Sequence, residues 1–374
     1  MHLKADKKLG LAALAGGLSA LTSPVYAEYG LNLVEPASEL TANVFDLHML
    51  TTKMAFYITI VVTIFVVYTL VRFRRSSGAE ADQNMHTNKF GVYSWLLVPV
   101  IVLGIDLSIA GPASSTLTQV EKHVDAELTV KVTGSQWKWT YDYLDNGVRV
   151  VSNLEQHEPD EVGYLRSVDN HFVLPVDTNI RFLHTATDVL HAWWVPAIAI
   201  KKDSIPGYIH ETSTHITKEG TYYGQCAENC GKGHAFMPIV VDVVSKDEFT
   251  AWVAARTADA NAAAAEASAD KVWSKEDLMS RGEELYVKNC AACHQVAGTG
   301  LPPVFPALKG SPIALGAVAE HVDMVLKGKA GTAMAAWGGQ LNDLEVAAIV
   351  TYERNAWGND TGDLVQPADV KSAR

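Results

Sequence analysis

Between Cys226 and Pro238 the chain reads CAENCGKGHAFMP, so two thiols, an imidazole and a thioether fall within a dozen residues. Thiolates select soft or borderline metals, imidazole suits copper or zinc, and a thioether is a poor zinc ligand but a common copper one; copper fits this set best. A mononuclear blue-copper site needs one thiolate, whereas two cysteines four apart on a loop between strands can bridge two coppers. Sharing an electron across such a pair spreads the change in charge, so little reorganises on transfer. The competing reading is a Cys226–Cys230 disulfide with His234 and Met237 incidental, because exported thiols tend to pair.

A second constellation, CAACH from Cys290 to His294, has the CxxCH spacing of covalent haem attachment: two thioether bonds fix the macrocycle and the adjacent imidazole reaches the iron. A thioredoxin-like pair or a disulfide is the alternative. The sixth iron ligand should be soft and neutral, which methionine provides. Met324 falls in the helical pattern AEHVDMVLKG, where methionine ordinarily packs a core; Met334, in the loop GTAMAAWGG, is the better candidate. The two constellations use all 4 cysteines of the chain.

These groups need elements to hold them. From Leu128 to Val244 the sequence alternates short β-branched and aromatic runs, ELTVKVTG, WKWTYDY, NHFVLPV, NIRFLHTA, GTYYGQC and MPIVVDVV, with Gly, Pro, Asn and Asp between them, which predicts a β-sandwich or barrel. Histidines 184, 191, 210 and 215 lie in or beside such runs, and a lone strand histidine is ordinarily a hydrogen-bonded core or surface group. The aromatic run from Gln136 to Tyr143 is likewise explained by strand packing. Residues 256–271, RTADANAAAAEASADK, have no apolar periodicity and read as a linker, partly helical; as a coil of ~16 residues it would reach roughly 20 to 24 Å. Thereafter Ser274 with Asp277, and Asn342 with Glu345, are capping signals opening amphipathic helices, so 274–374 is predicted as a small all-α domain.

Upstream, residues 1–27 carry lysines at 4, 7 and 8, a short apolar run and Val25-Tyr26-Ala27, the pattern of a signal peptide removed on export. Met54–Val71 has no charge and Tyr93–Gly111 only Asp106, so 28–112 is predicted as a transmembrane hairpin with helices over about 47–72 and 92–111. Arg72, Arg74, Arg75 and Lys89 lie between the two spans and keep that loop cytoplasmic. Everything after Gly111, including a β-domain over 113–255, is then outside a bacterial inner membrane. The net charge of −12 argues against a nucleic-acid partner and favours a basic protein partner.

Over residues 40 to 250 the chain resembles cytochrome c oxidase subunit II, whose binuclear copper A site has the pattern CxExCxxxHxxM. The resemblance implies a cupredoxin-like Greek-key barrel in which Cys226 and Cys230 bridge two coppers, and His234 and an upstream histidine each bind one. It makes Met237 and the Glu228 carbonyl weak ligands. The family's DVxHxxxVP segment selects His191 as that histidine. The resemblance also places Trp137 over the copper site where electrons come in, and gives the Glu228 carboxylate a magnesium ion shared with subunit I. Gly282, Tyr352, the CAACH box and the AMAAW loop resemble a class I cytochrome c domain, in which Gly282 and Tyr352 would pack helix against helix. Together they imply an electron-input subunit of the caa₃ kind: a cytochrome c or other periplasmic donor reduces haem c at Cys290, Cys293, His294 and Met334, and electrons pass by copper A to subunit I for reduction of O₂ to water. Other oxidase subunits and the membrane are the remaining partners. Two alternatives stay open, a membrane-anchored carrier with no fixed oxidase and a nitrous oxide reductase-like copper A protein. The chain departs from the family at Val92, where many oxidases have a glutamate at the mouth of a proton channel. Asp106, roughly 20 Å further along the helix, cannot simply replace it.

Overall fold

Ser38 and Asn88 each start a long helix, their side chains accepting the amides of Thr41 and Gly91 that the first helical turn leaves without a partner. The computed structural model describes residues 32–122, 124–159, 161, 163–268, 271–329, 332 and 334–374, so the proposed signal peptide lies outside the described residues. Helices α1 (Glu39–Arg72) and α2 (Lys89–Glu121) pack as a pair, each long and apolar enough to cross a membrane. Both exceed the expected 47–72 and 92–111. The expectation stopped where the apolar run stops, whereas the polar flanks remain helical and are held in place. Asn43 Nδ2 donates to Gln119 Oε1 at 2.7 Å, and Thr41 Oγ1 donates to the Ala197 carbonyl at 3.0 Å, tying α1 to the β-domain.

That domain has ten strands: β1 (Leu128–Ser135), β2 (Lys138–Tyr143), β3 (Val148–Ser152), β4 (Phe172–Pro175), β5 (Asn179–Ala186), β6 (His191–Val195), β7 (Ile200–Ser204), β8 (His210–His215), β9 (Gly220–Cys226) and β10 (Pro238–Val244). They form two sheets of order β3-β2-β1-β5-β8 and β4-β10-β9-β6-β7, with β1/β5 and β4/β10 parallel and the other pairs antiparallel. The sheets enclose an aromatic core in which Tyr141 stacks on Phe172 at 4.0 Å between ring centroids, with Trp139, Tyr143, Phe182 and Trp193 fully buried around them.

Helix α3 (Lys246–Ser268) leaves β10 and leans on that domain through Trp252, 5.2 Å from Tyr143 between ring centroids. It takes in 256–268, most of the expected linker. Alanine is the strongest helix former, so the stretch is a rod of roughly 20 Å at 1.5 Å per residue in place of a coil. The C-terminal domain comprises α4 (Lys275–Asn289), α5 (Ala291–His294), α6 (Pro312–Leu315), α7 (Val318–Lys327), α8 (Asp343–Asn355) and α9 (Pro367–Ala373). Helices α4 and α8 cross at Gly282, where a Cβ would lie 2.2 Å from the Ala348 carbonyl oxygen and 2.7 Å from Tyr352 Cβ. A glycine there lets the backbones approach that closely.

Candidate functional site

Strand register brings the first constellation together. β6 and β9 are neighbours with Trp193 opposite Cys226, which sets His191, at the start of β6, beside the last residue of β9. β9 and β10 form a hairpin whose last paired residues are Gln225 and Pro238, and the Cys226 amide donates to the Met237 carbonyl at 3.4 Å. The intervening loop folds inward. Cys226 Sγ and Cys230 Sγ lie 3.9 Å apart, His191 Nδ1 is 3.9 Å from Cys226 Sγ, and His234 Nδ1 is 3.5 Å from Cys230 Sγ. Met237 Sδ is 3.4 Å from Cys230 Sγ, and the Glu228 carbonyl oxygen 3.4 Å from Cys226 Sγ. His191, Cys226 and Cys230 are buried with ligand atoms close enough for one ion to bind them. The six atoms named for the site thus converge, and all four cysteines of the chain are unpaired. Two thiols, two imidazoles and a thioether match the donor chemistry of a copper pair.

The electrostatics separate the two thiols. Hydrogen bonds from Cys230 and from His191 to its sulfur pull Cys226 well below the ordinary thiol range against its burial, while the same Cys226–Cys230 bond, burial and the neighbouring charge push Cys230 up. One proton leaves readily and the other is retained. Burial alone would lower the His191 imidazole, but its bonds to Asp188 and Cys226 outweigh burial and raise it. Asp188 is in turn held below the usual carboxylate range, its burial outweighed by hydrogen bonds from His191 and from the Gln136 and Val189 amides.

Several residues of this arrangement were not among the sequence candidates. Asp188 Oδ1 accepts from His191 Nε2 at 2.9 Å, while its Oδ2 accepts the Gln136 amide at 2.7 Å. Gln136 Nε2 and Trp137 Nε1 both donate to the Cys230 carbonyl, at 2.7 and 3.2 Å. Trp137 lies so close over the cysteine loop that a Cβ on Gly233 would be 2.2 Å from its ring, and one on Gly134 would be 2.9 Å from the His191 ring. The signals were present as the Asp of DVLHAWWVP, the glycine before the histidine of CGKGH and the glycine of TGSQW. The other three histidines go elsewhere: His184 is buried on β5 with Nε2 2.8 Å from Thr212 Oγ1, His210 Nδ1 meets the Asp203 carbonyl and His215 Nδ1 the Asn179 side chain.

In the C-terminal domain Cys290 closes α4, and Cys293 and His294 follow in α5. His294 Nδ1 donates to the Pro306 carbonyl at 2.9 Å, which fixes the tautomer and leaves Nε2 as the free lone pair, the arrangement a haem ligand requires. Burial raises both thiols. Met334 lies half-buried on the loop after α7, its carbonyl accepting the Lys329 amide at 3.0 Å; Met324 is within α7 itself.

This domain rests on the face of the β-domain that carries Trp137. The Trp137 and Phe305 rings meet edge to face at 6.3 Å and 86°. Around them Lys138 Nζ lies 3.8 Å from the Trp337 ring centroid, Arg149 Nη1 donates to the Gly339 carbonyl at 2.7 Å, and Lys288 Nζ is 3.0 Å from Asp169 Oδ2.

Three family profiles match the chain. "Cytochrome C oxidase subunit II, transmembrane domain" covers residues 26–112, "Cytochrome C oxidase subunit II, periplasmic domain" 128–244, and "Cytochrome C oxidase, cbb3-type, subunit III" 277–352. The "Probable cytochrome c oxidase subunit 2" of Rickettsia bellii is 37% identical over 229 residues, covering 59% of this chain and 82% of the relative. The "Cytochrome c oxidase subunit 2" of Arabidopsis thaliana is 35% identical over 236 residues, covering 60% and 88%. Among solved structures, the periplasmic domain of subunit II of cytochrome oxidase from Bradyrhizobium japonicum is 44% identical, covers 36% of this chain and 97% of that one, and aligns with a TM-score of 0.35.

Proposed function

Because the chain belongs to the cytochrome c oxidase subunit II family and continues into a cytochrome c domain, the fusion known as caa₃-type, we propose that it is the electron-input arm of that oxidase with the following residues in the following roles. Cys226, Cys230, His191 and His234 would hold a pair of coppers, with Met237 and the Glu228 carbonyl as weaker ligands. Cys290 and Cys293 would anchor one haem c, and His294 and Met334 would bind its iron. When bound, these groups supply one-electron carriers; oxygen is reduced in subunit I.

The protein's own part is positioning. The β9–β10 hairpin and β6 fix the spacing of sulfur and imidazole before metal arrives, so loading requires loss of protons and little movement of the chain. Trp137 bridges the domains: its ring touches Phe305 on one side and its Nε1 reaches the Cys230 carbonyl on the other. The half-buried Glu228 carboxylate is available to a magnesium ion shared with subunit I. Residues 113–255 and 274–374 are the copper and haem domains, and the hairpin 28–112 seats them on the outer face of a bacterial inner membrane.

The convergence of both cysteine sulfurs, both imidazoles and the Met237 sulfur within 3.4 to 3.9 Å contacts carries this reading. Metal analysis of the purified holo subunit, freed of the other oxidase subunits, tests it: two coppers per haem iron are expected, and one copper or none refutes the assignment.

A further inference from the structure

Lys138 stands apart from the other charges at the contact between the two domains. Arg149 reaches Asp142 and the Gly339 carbonyl, and Lys288 pairs with Asp169. Lys138 is only 6% exposed, its Nζ has no hydrogen-bond partner, and it is covered by the face of Trp337 from the opposite domain. Burial pushes its ammonium down to about 8. Around it lie Lys288, Asp169 and Asp188, and from the cytochrome domain Cys290.

An ammonium stripped of water with only a ring face against it opposes the contact that buries it. Negative charge added nearby relieves that opposition. Cys290 is one of the two thiols assigned to the haem, so an electron gained by the cytochrome domain arrives in the neighbourhood of Lys138.

We propose that Lys138 makes docking of the cytochrome domain depend on whether that domain holds an electron: the contact is tighter when the domain is loaded and looser once it has delivered. The proposal rests on the haem and copper assignments above. Coupling between two equilibria is reciprocal, so docking must favour the reduced domain by the same factor. Such a contact forms when there is an electron to pass and frees the donor-facing side of the cytochrome domain afterwards.

The test uses the complete holo complex. A carbodiimide joins Lys288 to Asp169 without a spacer, and the joined peptide is quantified by mass spectrometry after reduction with ascorbate or oxidation with ferricyanide. Wild type should give several-fold more product when reduced. Lys138→Met should bring that ratio to unity and lower the haem midpoint potential, while Lys138→Arg should retain both. Equal yields in the two states of wild type, or an unchanged ratio in Lys138→Met, overturn the coupling but leave docking intact. No product in either state, with copper and haem spectra normal, overturns the docked contact itself; loss of those spectra would count against the cofactor assignments instead.

Discussion

Asp188 holds His191 from behind: its Oδ1 accepts from Nε2 at 2.9 Å, so the ring turns Nδ1 toward Cys226 Sγ. A carboxylate behind a metal-binding imidazole fixes the tautomer and raises ligand basicity, and losing such a partner typically weakens metal binding ~10 to 100-fold. Asp188→Ala should therefore lower copper affinity by about that factor and shift the visible spectrum of the site, whereas Asp188→Asn should preserve ring orientation and lose less. Copper titration of the apoprotein by absorbance checks both, and equal affinity in wild type and Asp188→Ala would count against the role.

Copper loading should release protons in a pattern set by the two thiols. Cys226 is pulled down by Cys230 and His191 and gives up its proton first; Cys230 is pushed up and holds its proton longer; and His191 is raised by its bonds to Asp188 and Cys226. All must be unprotonated to bind metal. Loading should thus release the proton that Cys230 retains together with any that His191 carries, and affinity should fall as pH drops because more of His191 is then charged. Calorimetry in buffers of different ionisation heat measures the count; release from both thiols in full would contradict the assignment.

The sequence carried the chemistry further than the geometry. Residue types at Cys226, Cys230, His234 and Met237 identified a soft-metal loop, and the capping pair Asn342 and Glu345 marked the start of α8, where both reciprocal hydrogen bonds are formed. Strands β3, β6, β7 and β8 were missed because VRVVS, HAWWV, IKKDS and HETSTH are too short or too polar to stand out by alternation. His191 lies on one of them, so only its DVxHxxxVP context separated it from His184. The contact between Trp137 and Phe305 joins residues far apart in the chain across two domains, and no local pattern encodes it. The same limit hid Lys138, which in the sequence is one more polar position on a strand.

Gly233 should prove necessary for Trp137. A Cβ there would lie 2.2 Å from the indole, and the ring cannot yield without giving up its bond to the Cys230 carbonyl. Gly233→Ala should leave copper and haem content unchanged and slow reduction of the copper site several-fold. Flash-photolysis or rapid-mixing kinetics on the loaded complex would show this, and an unaltered rate would remove Trp137 from the path.

The helix crossing at Gly282 gives a stability prediction in which two effects oppose. Alanine is favoured over glycine in a helix interior by ~1 kcal/mol, which alone would stabilise α4. The new methyl would meet the Ala348 carbonyl oxygen at 2.2 Å and Tyr352 Cβ at 2.7 Å. A backbone carbonyl of α8 cannot rotate aside, so the helices must separate, and overpacking of this kind costs about 1 to 3 kcal/mol. The steric cost should win, and Gly282→Val, with two further carbons and poorer helix propensity, should be worse than Gly282→Ala. Each kcal/mol lost lowers the melting temperature of a domain this size by about 4 to 8 °C. Gly339→Ala, where an added Cβ meets nothing within 4 Å, is the control and should be neutral. Calorimetry should show the transition of the haem domain shifting alone, with that of the copper domain unmoved. A Gly282→Ala protein as stable as Gly339→Ala would mean that α4 and α8 do not cross there.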